Sequence, residues 1–157
     1  MGLRHGGGLF VSGLTLCENA AMGAVQVQHY LGRARDFFNG MRLLRDDLPK
    51  YMSSSALLGI HSAISYSDAL RTGMGCADVS SDDHRSAATD LRSRLSSRKF
   101  EKMQGAARLG RLLSKKNLIA YTSETRKASE IEEILKQAER FAAWAEETGR
   151  QLQIEGW

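Results

Sequence analysis

The chain has a single proline, Pro49, two cysteines, Cys17 and Cys76, and few aromatic residues. Scarce proline together with abundant Ala, Leu, Arg, Ser and Glu favours helices joined by short turns, and no stretch alternates in the manner of a strand. Cys17 and Cys76 are far apart and form no Cys-x-x-Cys pair, so neither a disulfide framework nor a cysteine zinc site is indicated. Both are read as reduced thiols. No segment reaches the roughly 18 consecutive apolar residues of a membrane-spanning helix. Leu9 to Cys17 is apolar and follows Arg4 and His5, yet Ser12, Gly13 and Thr15 interrupt it, and Leu16 before Cys17 suits neither signal cleavage nor lipidation. Gly6-Gly7-Gly8 lacks the strand, the Lys and the helix that a phosphate-cradling loop requires. Residues 1–22 are therefore read as a flexible leader, with the helical pattern starting after Met22, and the protein as cytoplasmic with no membrane contact.

What is present is helical periodicity. At 157 residues the chain fits one domain that buries about two-thirds of its unfolded surface. From Ala24 to Leu48 the apolar residues Val27, Tyr30, Leu31, Ala34, Phe38, Met41 and Leu44 fall at steps of three and four. Pro49 marks a turn, and Ser53, Ser54 and Ser55 offer caps for a second helix ending before Gly73 and Gly75. That helix is apolar or small on most sides, which makes it the most buried. Cys76 to Asp83 reads as a loop. A third helix is expected over residues 84–95, a fourth over 100–118 and a fifth from about Arg126, with Gly149 loosening its end. The pattern predicts an all-α fold, an antiparallel up-and-down bundle of four to five helices over residues 23–152, with a C-terminal tail at 153–157.

The formal charge of +4 is unevenly spread. Arg85, Arg92, Arg94, Arg98, Lys99, Lys102, Arg108, Arg111, Lys115 and Lys116 face only Asp90 and Glu101 in the same stretch, and the fifth helix reverses the sign with Glu130, Glu132, Glu133, Glu139, Glu146 and Glu147. One reading is a cationic face for phosphates or an acidic partner, with Arg108, Arg111 and Lys115 as its basic patch. The other is two solvated helix faces that partly pair with each other.

Helix two carries a polar stripe of His61, Ser65, Asp68 and Thr72. Such a stripe lines a cavity, in which His61 and Asp68 contact a ligand, or it reaches solvent or a neighbouring helix. Asp82, Asp83 and His84 read chiefly as capping residues, with His84 and Arg85 as an alternative acid/base pair. No spacing supplies three metal ligands and no Gly-x-Ser-x-Gly elbow exists, so no metal, cofactor or serine catalysis is assigned.

Three segments share a pattern with a known family: His29-Tyr30-Leu31-Gly32-Arg33-Ala34-Arg35 in the first helix, Ala63, Tyr66 and Ala69 in the second, and the run from Leu112 to Phe141, which leads through Lys116-Asn117 and Tyr121 into the start of the long C-terminal helix. Over residues 27–148 the chain resembles the HEPN family, small helical-bundle proteins of prokaryotic defence, toxin–antitoxin and nucleotide-transfer systems. The resemblance implies a homodimer, a nucleotidyltransferase partner, and a nucleotide or RNA ligand at Lys116, Asn117 and Tyr121. Catalytic members carry an Arg followed a few residues later by a His that serves as a metal-independent ribonuclease site. Here Lys116, Asn117 and Tyr121 stand instead, and a Tyr hydroxyl with its ordinary pKa near 10 is a poor base at neutral pH. A non-catalytic binding module is thus expected, the alternatives being a ribonuclease with a rearranged site and a purely structural interaction protein. Phe141, Trp144 and Trp157 are candidates for the dimer patch, or for the monomer's own core.

Overall fold

The computed structural model describes residues 11–79, 84–121 and 126–157. Within them lie five α-helices, α1 (Val11–Arg45), α2 (Leu48–Gly73), α3 (Ala87–Ser97), α4 (Gln104–Tyr121) and α5 (Ala128–Gln151), and no strand. The fold is an all-α bundle.

α2 lies at the centre, and serine and glycine let its neighbours come close. Ser62 Oγ donates to the Ala34 carbonyl at 2.8 Å, Ser55 Oγ to Met41 at 3.3 Å, and Arg33 Nε donates to Ser65 Oγ at 3.2 Å. These pairs advance along α2 as they retreat along α1, so the two helices run antiparallel. On the other side, a Cβ at Gly59 would stand 3.1 Å from Ala138, Tyr66 meets Glu146, and Gly73 abuts Ile154. Here both partners advance together, and α2 and α5 run parallel. Between α4 and α5 the order reverses again: Lys102 pairs with Glu147 and Arg108 with Gln137.

The core is formed by Val27, Leu31 and Met41 of α1, Ile60 and Leu70 of α2, Leu91 and Leu95 of α3, Leu109 and Leu112 of α4, and Ile131, Leu135 and Phe141 of α5. Each such side chain contributes about 1.5–3 kcal/mol through removal from water.

Helix boundaries depart from the periodicity at both ends of the chain. α1 begins at Val11, so the part of the 1–22 leader that the structure describes is continuous helix; residues 1–10 lie outside the described residues. The apolar stripe missed it because Asn19 to Met22 are exposed and bury no face. Pro49 sits inside the first turn of α2, with Asp47 as N-cap, and Ser53 to Ser55 do not cap it. A proline costs nothing there, because the first amides of a helix lack intrahelical acceptors. A kink at Tyr51 (φ −120°, ψ 28°) absorbs the change in direction.

Phe141, Trp144 and Trp157 each pack within this chain. Phe141 is fully buried. Trp144 lies flat over Gly105, where any Cβ would fall inside its ring, and its indole N–H donates to the Lys102 carbonyl at 2.9 Å. Gly149 does not loosen α5, which continues to Gln151. It seats the ring of Trp157, while Gly156, at φ 85°, crosses over the Ala24 carbonyl. The tail lies back on the bundle with the Trp157 ring against Gly149 and Gly156 against the Ala24 backbone.

Candidate functional site

α4 carries Gly110, Leu113, Ser114 and Asn117 at i, i+3, i+4 and i+7, one stripe along one side of the helix. With the neighbouring Lys116, and with His84 and Arg85 from the turn leading into α3, these residues line a cavity of about 750 Å³. Glycine at 110 keeps the wall thin. A Cβ there would already touch the Ala88 methyl at 3.7 Å. His84 and Lys116 are half-buried, while Arg85 and Asn117 are exposed.

The lining is cationic. Among its described residues are three side chains that carry or acquire positive charge, together with an amide and a hydroxyl, and no carboxylate. Asp82 and Asp83, named above as caps, lie outside the described residues; the N-cap of α3 is Ser86, with no side-chain capping bond. The field extends to α2, where the His61 imidazole, half-buried 5.7 Å from the Phe37 ring, is held below its ordinary pKa. Burial is the main cause, followed by Lys116, His84 and Arg33. His61 is consequently neutral at pH 7.

Asp68 occupies a different environment. It is 4% exposed, two turns along α2 from His61, with Oδ1 3.4 Å from Arg71. Burial pushes its carboxyl up to about 6 against the opposing influence of Arg71 and Arg33. Arg71 is better engaged by Asp90 at 2.7 Å, which also accepts from Arg94 at 2.9 Å. Burial would raise the Asp90 pKa, but those two guanidinium bonds hold it below the ordinary carboxylate value. Of the polar stripe on α2, Ser65 bonds to α1 through Arg33, Asp68 joins this ionic chain, and buried Thr72 Oγ1 has no partner among the described residues.

Sequence reasoning named Lys116 and Asn117, and the structure brings these together with His84 and Arg85. It does not bring Tyr121 to them: this last residue of α4 is 84% exposed and outside the lining, and neither His61 nor Asp68 lines the cavity. The basic patch divides. Arg108, expected to point outward, is half-buried and donates to Gln137 Oε1 at 3.0 Å; burial, then Arg111 and Arg140, lowers its pKa. Arg111 and Lys115 instead edge a shallow groove on another side of α4, floored by Leu112 and Ile134 and rimmed by Glu133. Gly110, Leu113 and Ser114 were missed, although their helical spacing with Asn117 was visible in the sequence. Among the described residues, no three His, Cys, Asp or Glu side chains converge on a point where a metal ion could sit, and no helix is long and apolar enough to cross a membrane.

No family model, curated protein or solved structure matches the chain.

Proposed function

We propose that this chain is a HEPN-like binding module whose cavity between the α3 turn and α4 holds a phosphate-bearing ligand, a nucleotide or RNA, without cleaving it. The observation that carries the reading is the convergence of His84, Arg85, Lys116 and Asn117 around a cavity of about 750 Å³, within the range of small-molecule sites. Lys116 supplies a point charge, Arg85 a planar fork suited to phosphate oxygens, and Asn117 and Ser114 donors that orient the rest. Lys116 and Asn117 are also the residues at which the family resemblance places its ligand cluster. The same resemblance supports a homodimer and a nucleotidyltransferase partner in a defence or toxin–antitoxin setting. Met22, Val25 and Leu43 on α1 and Tyr121 at the end of α4 are exposed apolar side chains that such contacts could cover.

Calorimetric titration with nucleoside monophosphates tests the reading. Binding that Lys116→Ala weakens at least about tenfold is expected, the loss of a charged hydrogen-bonding partner. No binding at low salt would refute it.

A second reading, a metal-independent ribonuclease with a rearranged site, is favoured by the imidazole of His84 beside Lys116, since an imidazole is the side chain best matched to base catalysis near neutral pH. Incubating RNA with the protein in EDTA separates the two. The binding module leaves the RNA intact; cleavage that His84→Ala abolishes establishes the nuclease.

A further inference from the structure

Two depressions lie between α4 and α5, of about 320 and 160 Å³, and they share Lys115, Glu133 and Ile134, so they form one groove. Its lining runs from Arg111 to Ile119 on α4 and from Ser129 to Gln137 on α5. At 1.5 Å per residue that is about 12 Å, two turns of each helix. Leu112, Lys115 and Ile119 face it at i, i+3 and i+7, whereas Gly110, Leu113 and Asn117 face the cavity at the same spacing. The groove is therefore on the side of α4 turned away from the cavity.

The floor is apolar and the two rims differ in sign. Leu112, Ile119 and Ile134 are core residues that also line the groove, and Leu118 is exposed beside them. Arg111 and Lys115, exposed and one turn apart, form the α4 rim; exposed Glu130 and Glu133 form the α5 rim. Each carboxylate is met from its own side, Glu130 by Arg126 at 3.8 Å and Glu133 by the Gln137 amide at 2.6 Å. Among the described residues no ion pair bridges the rims, so the floor between them stays open.

We infer that this groove docks an amphipathic helical segment of a partner protein, with its apolar face on Leu112, Ile119 and Ile134, its acidic flank along Arg111 and Lys115, and its basic flank along Glu130 and Glu133. A helix fits because an apolar floor two turns long between polar rims is the complement of one helix face. The paired rims select a ligand that carries both signs. A nucleic acid or an anionic lipid surface would meet the two carboxylates, and a purely cationic peptide would meet the arginine and the lysine. For a helix lying in a groove, exchanging its flanks is the same as reversing its direction, so the rims also fix which way the segment runs. The groove shares no lining residue with the cavity, and this inference stands whether or not the cavity holds phosphate.

Three synthetic alanine-based peptides of about 15 residues, long enough to be helical, test the docking site in the full chain by NMR titration at low salt. All carry leucine at i, i+4 and i+7; one has glutamate on one flank and lysine on the other, one has glutamate on both, and one has lysine on both. The mixed peptide should bind at least about tenfold more tightly than either single-sign peptide and shift the amide signals of Lys115 and Ile134. Arg111→Glu with Lys115→Glu makes both rims acidic and should place the all-lysine peptide first. Glu133→Lys should instead raise the all-glutamate peptide above the all-lysine one. All three sites are exposed, circular dichroism checks each fold, and either variant alone decides if the other misfolds. The proposal is overturned if no peptide binds, if the wild type binds all three alike, or if a folded variant keeps the wild-type ranking. It is also overturned by a two-chain mass in light scattering that the Arg111→Glu, Lys115→Glu variant halves, which would assign the groove to a second copy.

Discussion

His61 on α2 and Lys116 on α4 are electrostatically coupled: after burial, the Lys116 ammonium is the strongest influence holding the His61 imidazole below its ordinary value. The coupling makes His61 a reporter for a cavity it does not line. Lys116→Met should move the His61 pKa up toward 6.5, as read from imidazole chemical shifts. Inorganic phosphate should raise it in the wild type, because a bound anion favours the imidazolium, and should leave it unmoved in Lys116→Met. A His61 pKa that Lys116→Met raises but that phosphate leaves unmoved in the wild type would show that the cavity holds no phosphate.

Asp68 gives the fold a pH dependence of opposite sense to ordinary acid denaturation. Its folded pKa of about 6 lies above the usual 3.8, so its contribution to stability is greatest below 3.8 and is lost as pH rises through 6. The difference corresponds to about 3 kcal/mol at neutral pH. Asp68→Asn should therefore gain most over the wild type above pH 7 and gain nothing near pH 4, with Arg71 still held by Asp90. Urea unfolding of both proteins across that range checks it; parallel stability profiles would show that Arg71 fully compensates the buried charge.

The helices were legible in the sequence wherever they bury a stripe. Val27, Leu31, Ala34 and Met41, or Ile131, Leu135, Ala138 and Phe141, mark core faces by spacing alone, and all are buried. What failed was everything decided by a partner. Asn19 to Met22 of α1 are exposed and mark no stripe, and Pro49 could be read as a breaker or as a first-turn residue. The cavity was half visible: Lys116 and Asn117 stand out as polar residues late in an amphipathic helix. His84 and Arg85 join them only because α3 packs against Gly110, a long-range contact that no local pattern encodes. Asp68 and His61 share a stripe on paper but serve different neighbours, since Asp68 pairs with Arg71 and His61 packs beside Phe37 of α1.

Gly105 and Gly32 make opposite predictions from the same substitution. A Cβ at 105 would enter the Trp144 ring, whereas at 32 nothing lies within 4 Å. Gly105→Ala should cost about 1–3 kcal/mol through overpacking and shift the Trp144 fluorescence. Gly32→Ala, in the interior of α1, should stabilise by about 0.5–1 kcal/mol through helix propensity. Equal effects in denaturant titrations would mean that Trp144 does not rest on Gly105.

Glu146 ties α1, α2 and the C-terminal tail to α5. It accepts from Arg35 at 2.7 and 2.9 Å, from the Tyr66 hydroxyl at 2.9 Å and from the Trp157 indole at 3.3 Å. Burial alone would raise its pKa, but these donors hold it below 4.5. Its contribution is therefore complete above 4.5 and declines as pH falls below that value. Glu146→Gln keeps the shape while losing the charge and one of the two accepting oxygens. It should destabilise by about 1–3 kcal/mol at pH 7, the range for hydrogen bonds to a charged group, and by progressively less as pH falls toward 3. Amide exchange in residues 152–157 should accelerate at the same time, because Trp157 loses an anchor that its seat on Gly149 does not replace. Unchanged exchange in the tail, with stability lost, would assign the whole effect to the Arg35 and Tyr66 contacts and show that the tail is held by the Trp157 ring alone.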